Sequence, residues 1–180
     1  SFTSKGDYFG SDIKREEKPK LALGLSYDYH DNASRAKGNT GSFLSQTRTL
    51  STIFADMMFK YKGFSVMAEY AVKSSDVSSV FIDETDGLEY NFITGSALNI
   101  QAGYLLPSDW ELAARFTSVT PELVAPEYVQ AQEDVSMYTL GISKYIDGHN
   151  LKVQSDFSMI REGGMEESYL ARLQVELSFN

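Results

Sequence analysis

Lys20-Leu21-Ala22-Leu23-Gly24-Leu25-Ser26-Tyr27-Asp28-Tyr29-His30 alternates without a break. Leu21, Leu23, Leu25, Tyr27 and Tyr29 are large and apolar or aromatic, and the residues between them are small or polar. Successive side chains of an extended chain leave opposite faces, so the stretch reads as a strand with one apolar and one polar face. The same period recurs seven times. A second strand, 49–61, sets Ile53, Ala55, Met57, Phe59 and Tyr61 against Asp56 and Lys60. A third, 64–73, sets Phe64, Val66, Ala68, Tyr70 and Val72 against Ser65, Glu69 and Lys73. A fourth, 95–106, sets Leu98, Ile100, Ala102 and Tyr104 against Asn99, Gln101 and Gly103.

The second half repeats the pattern. The fifth strand, 110–118, has Trp110, Leu112, Ala114 and Phe116 against Glu111, Arg115 and Thr117. The sixth, 135–146, has Tyr138, Leu140, Ile142 and Ile146 on one face, with Lys144 falling on that same face near an end. The seventh, 150–160, has Leu151, Val153, Phe157 and Met159 against Lys152, Gln154, Asp156 and Ser158. The eighth, 169–180, has Ala171, Leu173, Val175, Leu177 and Phe179 against Arg172, Gln174, Glu176 and Ser178. No segment carries a convincing helical period, and the fold class expected is all-β.

The connections alternate in length. Lys62-Gly63, Pro107-Ser108-Asp109 and Asp147-Gly148-His149 are tight turns, while 31–46, 74–94, 119–134 and 161–168 are long and polar. Short turns at one end and long loops at the other are the layout of an antiparallel transmembrane β-barrel. A soluble sandwich also shows alternation, but three features favour the barrel. The strands exceed the usual length of about 5–6 residues and suit a tilted membrane crossing of about 9–11. Aromatics cluster near both strand ends, Tyr61, Phe64, Tyr104 and Trp110 at the short turns and Tyr29, Tyr70, Phe116, Tyr138, Phe157 and Tyr169 toward the loops, as interfacial girdles do. Phe179 lies next to the C-terminal end, the place of an aromatic barrel-insertion signal.

Composition bounds the alternatives. The 180 residues suffice for one domain; 42% are hydrophobic, yet none of the apolar runs approaches the roughly 20 residues of a membrane-spanning helix. Mean hydropathy of -0.27 would suit a soluble protein, but a barrel shows lipid only its alternate residues. A net charge of -9, from 25 acidic and 16 basic residues, argues against a nucleic-acid partner. Absence of cysteine removes disulfides and thiolate metal sites. Ser1-Phe2-Thr3-Ser4-Lys5-Gly6 lacks the marks of a signal peptide, so a mature or truncated chain is expected.

Several stretches resemble the phosphate-selective porin O and P family, particularly its Bacteroidetes-type outer-membrane members. They are Gly6-Asp7-Tyr8-Phe9 with Ser11-Asp12, Lys18-Pro19-Lys20-Leu21, Phe59-Lys60-Tyr61-Lys62-Gly63-Phe64, Ala102-Gly103-Tyr104 and Arg115-Phe116-Thr117 leading to Thr120-Pro121. Tyr138-Thr139-Leu140-Gly141 and Gly148-His149-Asn150-Leu151-Lys152-Val153-Gln154 resemble it most closely, before the Leu173–Phe179 ending. These are scaffold motifs. The resemblance implies that the chain is the C-terminal half of a sixteen-stranded porin, with 1–19 a polar connecting segment on the periplasmic side and 20–180 eight strands of the barrel.

On this reading the polar faces look into the pore. The pore-facing candidates are Asp56, Lys60, Glu69, Lys73, Glu111, Arg115, Lys152, Asp156, Arg172 and Glu176. With Asp28 they make six acids against five bases, too balanced for strong ion selectivity. Leu140, Ile142, Val153, Leu173 and Val175 are the lipid-facing candidates. His30 and His149, the only histidines, fall at opposite ends of the ladder and share no metal or triad. Asp83-Glu84-Thr85-Asp86-Gly87 is acidic but lacks the spacing of a calcium loop. No serine sits in a nucleophile motif. Neither catalysis nor a metal or cofactor is expected.

The function expected is passive diffusion of small hydrophilic solutes or ions, including anions such as phosphate if the family's name carries over. The alternative is a small eight-stranded structural or binding barrel that does not conduct. Expected partners are outer-membrane lipid and lipopolysaccharide, the barrel-insertion machinery, the solutes, and a second copy or larger membrane complex. The acids of the long loops, Asp76, Asp83, Glu84, Asp86 and Glu89 with Glu162, Glu166 and Glu167, would gather cations at the mouth.

Overall fold

The alternating segments pair with their neighbours in chain order, three of the pairs across tight turns and four across longer loops. The computed structural model describes residues 10–35, 40, 43–75, 80–82, 89–91, 94–122, 133–148 and 150–178. The strands are β1 (Lys20–Arg35), β2 (Phe43–Tyr61), β3 (Phe64–Ser75), β4 (Val80–Ile82), β5 (Glu89–Asn91), β6 (Gly95–Leu105), β7 (Trp110–Pro121), β8 (Val135–Asp147), β9 (Leu151–Glu162) and β10 (Ser168–Leu177). Eight of them form one antiparallel sheet, β1-β2-β3-β6-β7-β8-β9-β10. The sheet is open, with β1 and β10 as its edges. β4 and β5 pair separately.

All eight expected strands form, and their short-turn ends match the alternation closely. The long-loop ends run further: β1 continues to Arg35 rather than His30, and β2 starts at Phe43 rather than Thr49. The ladder there is backbone pairing that needs no apolar face. It passes a bulge between His30 and Ala33, where Asn32 takes φ 54°. Asn32 also accepts from Thr47 Oγ1 at 3.1 Å. Two expectations change. Segment 74–94 contains the β4–β5 hairpin, too short to leave a period, and the last strand stops at Leu177 rather than running to 180. Phe179, His149 and 83–87 lie outside the described residues.

Lys62 (φ 49°) and Gly63 (φ 85°) are both left-handed, as a two-residue type I′ turn requires. Asp109 (φ 59°) ends the 107–109 turn in the same region, with its N–H on Leu106 O at 3.0 Å. These turns fix the register, and register fixes facing: Asp56 opposes Glu69, Glu69 opposes Asn99, and Asn99 opposes Thr117.

The sheet is a single layer and its burial is inverted. Ala33, Leu50, Met58, Leu105 and Tyr145 are the buried hydrophobics among the described residues, whereas Leu23, Leu25, Leu140 and Leu173 are 72%, 79%, 69% and 75% exposed. Charged Lys60 and Glu111, on the other face, are only 3% and 6% exposed. Ser11 contacts Lys60 on β2 and Tyr145 on β8 together. Flat, those strands would stand roughly 19 Å apart at about 4.8 Å per strand. The sheet curls, with its polar face concave.

Gly95 sits at φ 131°, and a Cβ there would lie 2.2 Å from Thr120 O and 2.8 Å from Glu122 N. Gly148, at φ 51°, has open space around it. Gly95→Ala is expected to cost upwards of about 3 kcal/mol, from a sparsely populated backbone region plus a backbone clash. Gly148→Ala is expected to cost about 1–2 kcal/mol. Equilibrium urea unfolding of the refolded chain ranks the two.

Candidate functional site: the charged concave face

Even-numbered positions of β1 (up to His30) and β2 and odd-numbered positions of β3, β6, β7 and β8 share the concave face, and β9 and β10 add Lys152, Gln154, Asp156, Arg172, Gln174 and Glu176. All ten charged candidates therefore lie on one face. Asp56 and Glu69 line one hollow, Lys73 lines a second with Asp28 and His30, and Glu111, Arg115, Lys152, Asp156, Arg172 and Glu176 line a third. Lys60 is on the same face but lies beneath residues 10–16, and Glu111 is covered by them too.

Across β9 and β10 the charges pair directly. Arg172 Nη2 stands 2.9 Å from Asp156 Oδ1, Gln154 Nε2 donates to Gln174 Oε1 at 3.2 Å, and Lys152 Nζ stands 3.0 Å from Glu176 Oε2. The middle strands carry a neutralising amide row: Asn99 Nδ2 donates to Glu69 Oε2 at 3.1 Å, and Thr117 Oγ1 to Asn99 Oδ1 at 3.1 Å. Asp56 faces Glu69 across the ladder, a like-charge juxtaposition that opposes folding. It is seated over Gly24, whose missing Cβ leaves room for the carboxylate. Gly103 gives Glu111 the same space. Arg115 Nε is buried without a hydrogen-bond partner among the described residues.

The sequence gives the segment before β1 only a connecting role; the structure packs residues 10–16 of it onto the concave face. Ser11 Oγ donates to Glu111 Oε2 at 2.6 Å, and Tyr145 OH donates to the same oxygen at 2.6 Å. Lys60 Nζ donates to Ser11 O at 3.0 Å. Asp12, 1% exposed, accepts the Gly63 N–H at 2.7 Å and the Glu16 N–H at 3.0 Å. Arg15, itself at φ 49°, donates through Nη1 to Leu105 O at 2.6 Å. Every anchor is polar, so hydrophobic period carries no trace of it. The signal present in the sequence was Tyr145, an aromatic at an inward position beside Ser143. Phe54 and Val119, 46% and 40% exposed, likewise form an unforeseen apolar band on the concave face, beside a hollow of about 410 Å³.

At the opposite end, Arg161 and Tyr169 close the β9–β10 turn on Glu167, with the guanidinium and the phenol each 2.8 Å from the carboxylate. The Tyr169 hydrogen bond, then the Arg161 bond and charge, hold Glu167 below the usual carboxylate range. No group of three or more His, Cys, Asp or Glu is placed to hold a metal among the described residues. Compared with known proteins, the chain matches no family model, no curated protein and no solved structure.

Asp12 leaves one buried and one part-buried N–H group unpaired when removed, while the Asp156–Arg172 pair is part-exposed. Asp12→Ala is expected to destabilise by about 2–3 kcal/mol. Asp156→Ala is expected to cost about 0.2–1 kcal/mol, shrinking in salt. Urea unfolding at low and high ionic strength separates them.

Proposed function

We propose that this chain is part of an outer-membrane porin, eight strands of a β-barrel that lets small hydrophilic solutes and ions diffuse passively. One observation carries the reading: a single-layer sheet exposes an apolar face while its charges gather on the concave side. Water disfavours that outer face at roughly 25 cal/mol per Å². Hydrocarbon removes the penalty, and the antiparallel ladder satisfies the backbone that lipid cannot. No helix of the described residues is long and apolar enough to cross a membrane. Each of the eight strands has 10 residues or more, the length of a tilted strand crossing of about 9–11.

Lys144, expected on the apolar face, supports the same reading. Its Nζ turns back to Ser108 O at 2.6 Å and lies 5.7 Å from the Trp110 ring centre, as a side chain snorkelling to a membrane interface does. The unpaired edges β1 and β10 favour completion by further strands, as in the sixteen-stranded porins the sequence resembles, over a closed eight-stranded barrel that does not conduct. The bacterial outer membrane, its lipopolysaccharide and its insertion machinery follow as setting and partners. Concave charges that are nearly balanced in number, six acids against five bases, and paired across β9 and β10 predict weak selectivity, anions such as phosphate passing with other small solutes.

In planar bilayers the full-length protein is expected to give stepwise, water-filled conductance with a small reversal potential across a KCl gradient. A tight barrel without steps would sink the proposal. Val175→Arg, on the outer face, is expected to cost about 2–4 kcal/mol if that site lies at mid-membrane depth. Gln174→Arg, one residue away, is expected to insert normally and change conductance. Folded yield in lipid vesicles and single-channel recording distinguish the two, and the reverse pattern would mean that the faces are exchanged.

A further inference from the structure

We propose that residues 10–16 form a fixed constriction in the passage, which rests on the porin reading above. The segment crosses the concave face at the short-turn end and is held from both sides. Lys60 reaches it from β2, while Glu111 and Tyr145 reach it from β7 and β8. Asp12 and Arg15 tie it to the turns at Gly63 and Leu105. A segment with this many directional bonds has already lost its conformational freedom, so it narrows the passage as a rigid sill rather than a swinging gate.

The space left beside the sill is a hollow of about 490 Å³, lined by Gly10, Ser11, Arg115, Lys152, Asp156 and Arg172, among others. A solute crossing the concave face toward the short turns on this side passes between Gly10 and the β7–β10 wall. That wall is polar, and its charges from β9 and β10 are paired, so it suits a hydrated solute. Arg115 contributes a guanidinium whose Nε has no protein partner among the described residues.

The chain contains no cysteine, so Gly10→Cys introduces its single thiol, and the unsubstituted full-length protein treated with the same reagents is the control. The position tolerates it: among the described residues a Cβ there meets Met67 Sδ at 3.6 Å and Gln101 Nε2 at 3.8 Å, both ordinary contacts. The test uses the full-length protein in planar bilayers, with membrane-impermeant thiosulfonates carrying either an ammonium or a sulfonate. Labelling is verified by mass and folding by heat-modifiable gel mobility. Both reagents are expected to label the folded variant and lower single-channel conductance by roughly half or more, since lining groups at a narrow point control flux. The two should shift the reversal potential in opposite directions. Labelled channels with unchanged conductance and reversal potential overturn the constriction alone, as does a folded variant that resists labelling. A parent protein without conductance overturns the porin reading and the constriction with it.

Discussion

Everything in this molecule depends on the coupling of strand register to facing. Because side chains alternate with period two, a one-residue slip of any strand would move that strand's apolar residues onto the charged face. The structure holds register with turn chemistry at the short-turn end. Lys62-Gly63 takes two left-handed residues in succession, Asp109 takes one, and Asn150 N–H closes on Asp147 O at 2.8 Å. With those points pinned, the eight strands deliver most of their apolar side chains to one side and most of their charges to the other, with Phe54, Val119 and Lys144 as exceptions.

The consequence, among the described residues, is a sheet without an ordinary core. Ladder hydrogen bonds, cross-strand pairs and polar anchors hold the sheet together, and the few buried hydrophobics are scattered, Leu105 beside a turn and Leu50 toward the loops. The buried positions are mostly polar and satisfied by one another. Thr139 and Ser158 share a hydrogen bond of 2.8 Å at 7% and 0% exposure, and Ser11, Glu111 and Tyr145 form a closed set. Low dielectric makes such networks stiff when complete and costly when broken. On the porin reading, the hydrophobic contribution missing from the interior comes from contact with lipid outside.

The same inversion divides the charges by role. Pairs across β9 and β10 neutralise that wall, whereas the Asp56–Glu69 juxtaposition is tolerated through an asparagine partner and a glycine seat.

What the sequence determined by itself was whatever period two and turn residues encode: eight strands, their order, their antiparallel pairing and the face each candidate residue occupies. Leu140, Leu173 and Val175 are exposed on the outer face, and Asp156, Arg172, Lys152 and Glu176 share the concave one, because parity alone decides both. Parity is silent about contacts between residues far apart in sequence. Only the tertiary structure shows Ser11 meeting Glu111 and Tyr145 across separations of 100 and 134 residues, Lys60 and Glu111 covered rather than open, and Phe54 and Val119 brought together on the concave side. The physical reason is curvature: alternation specifies which side of a sheet a residue takes, but how far the sheet curls decides which residues on that side can touch.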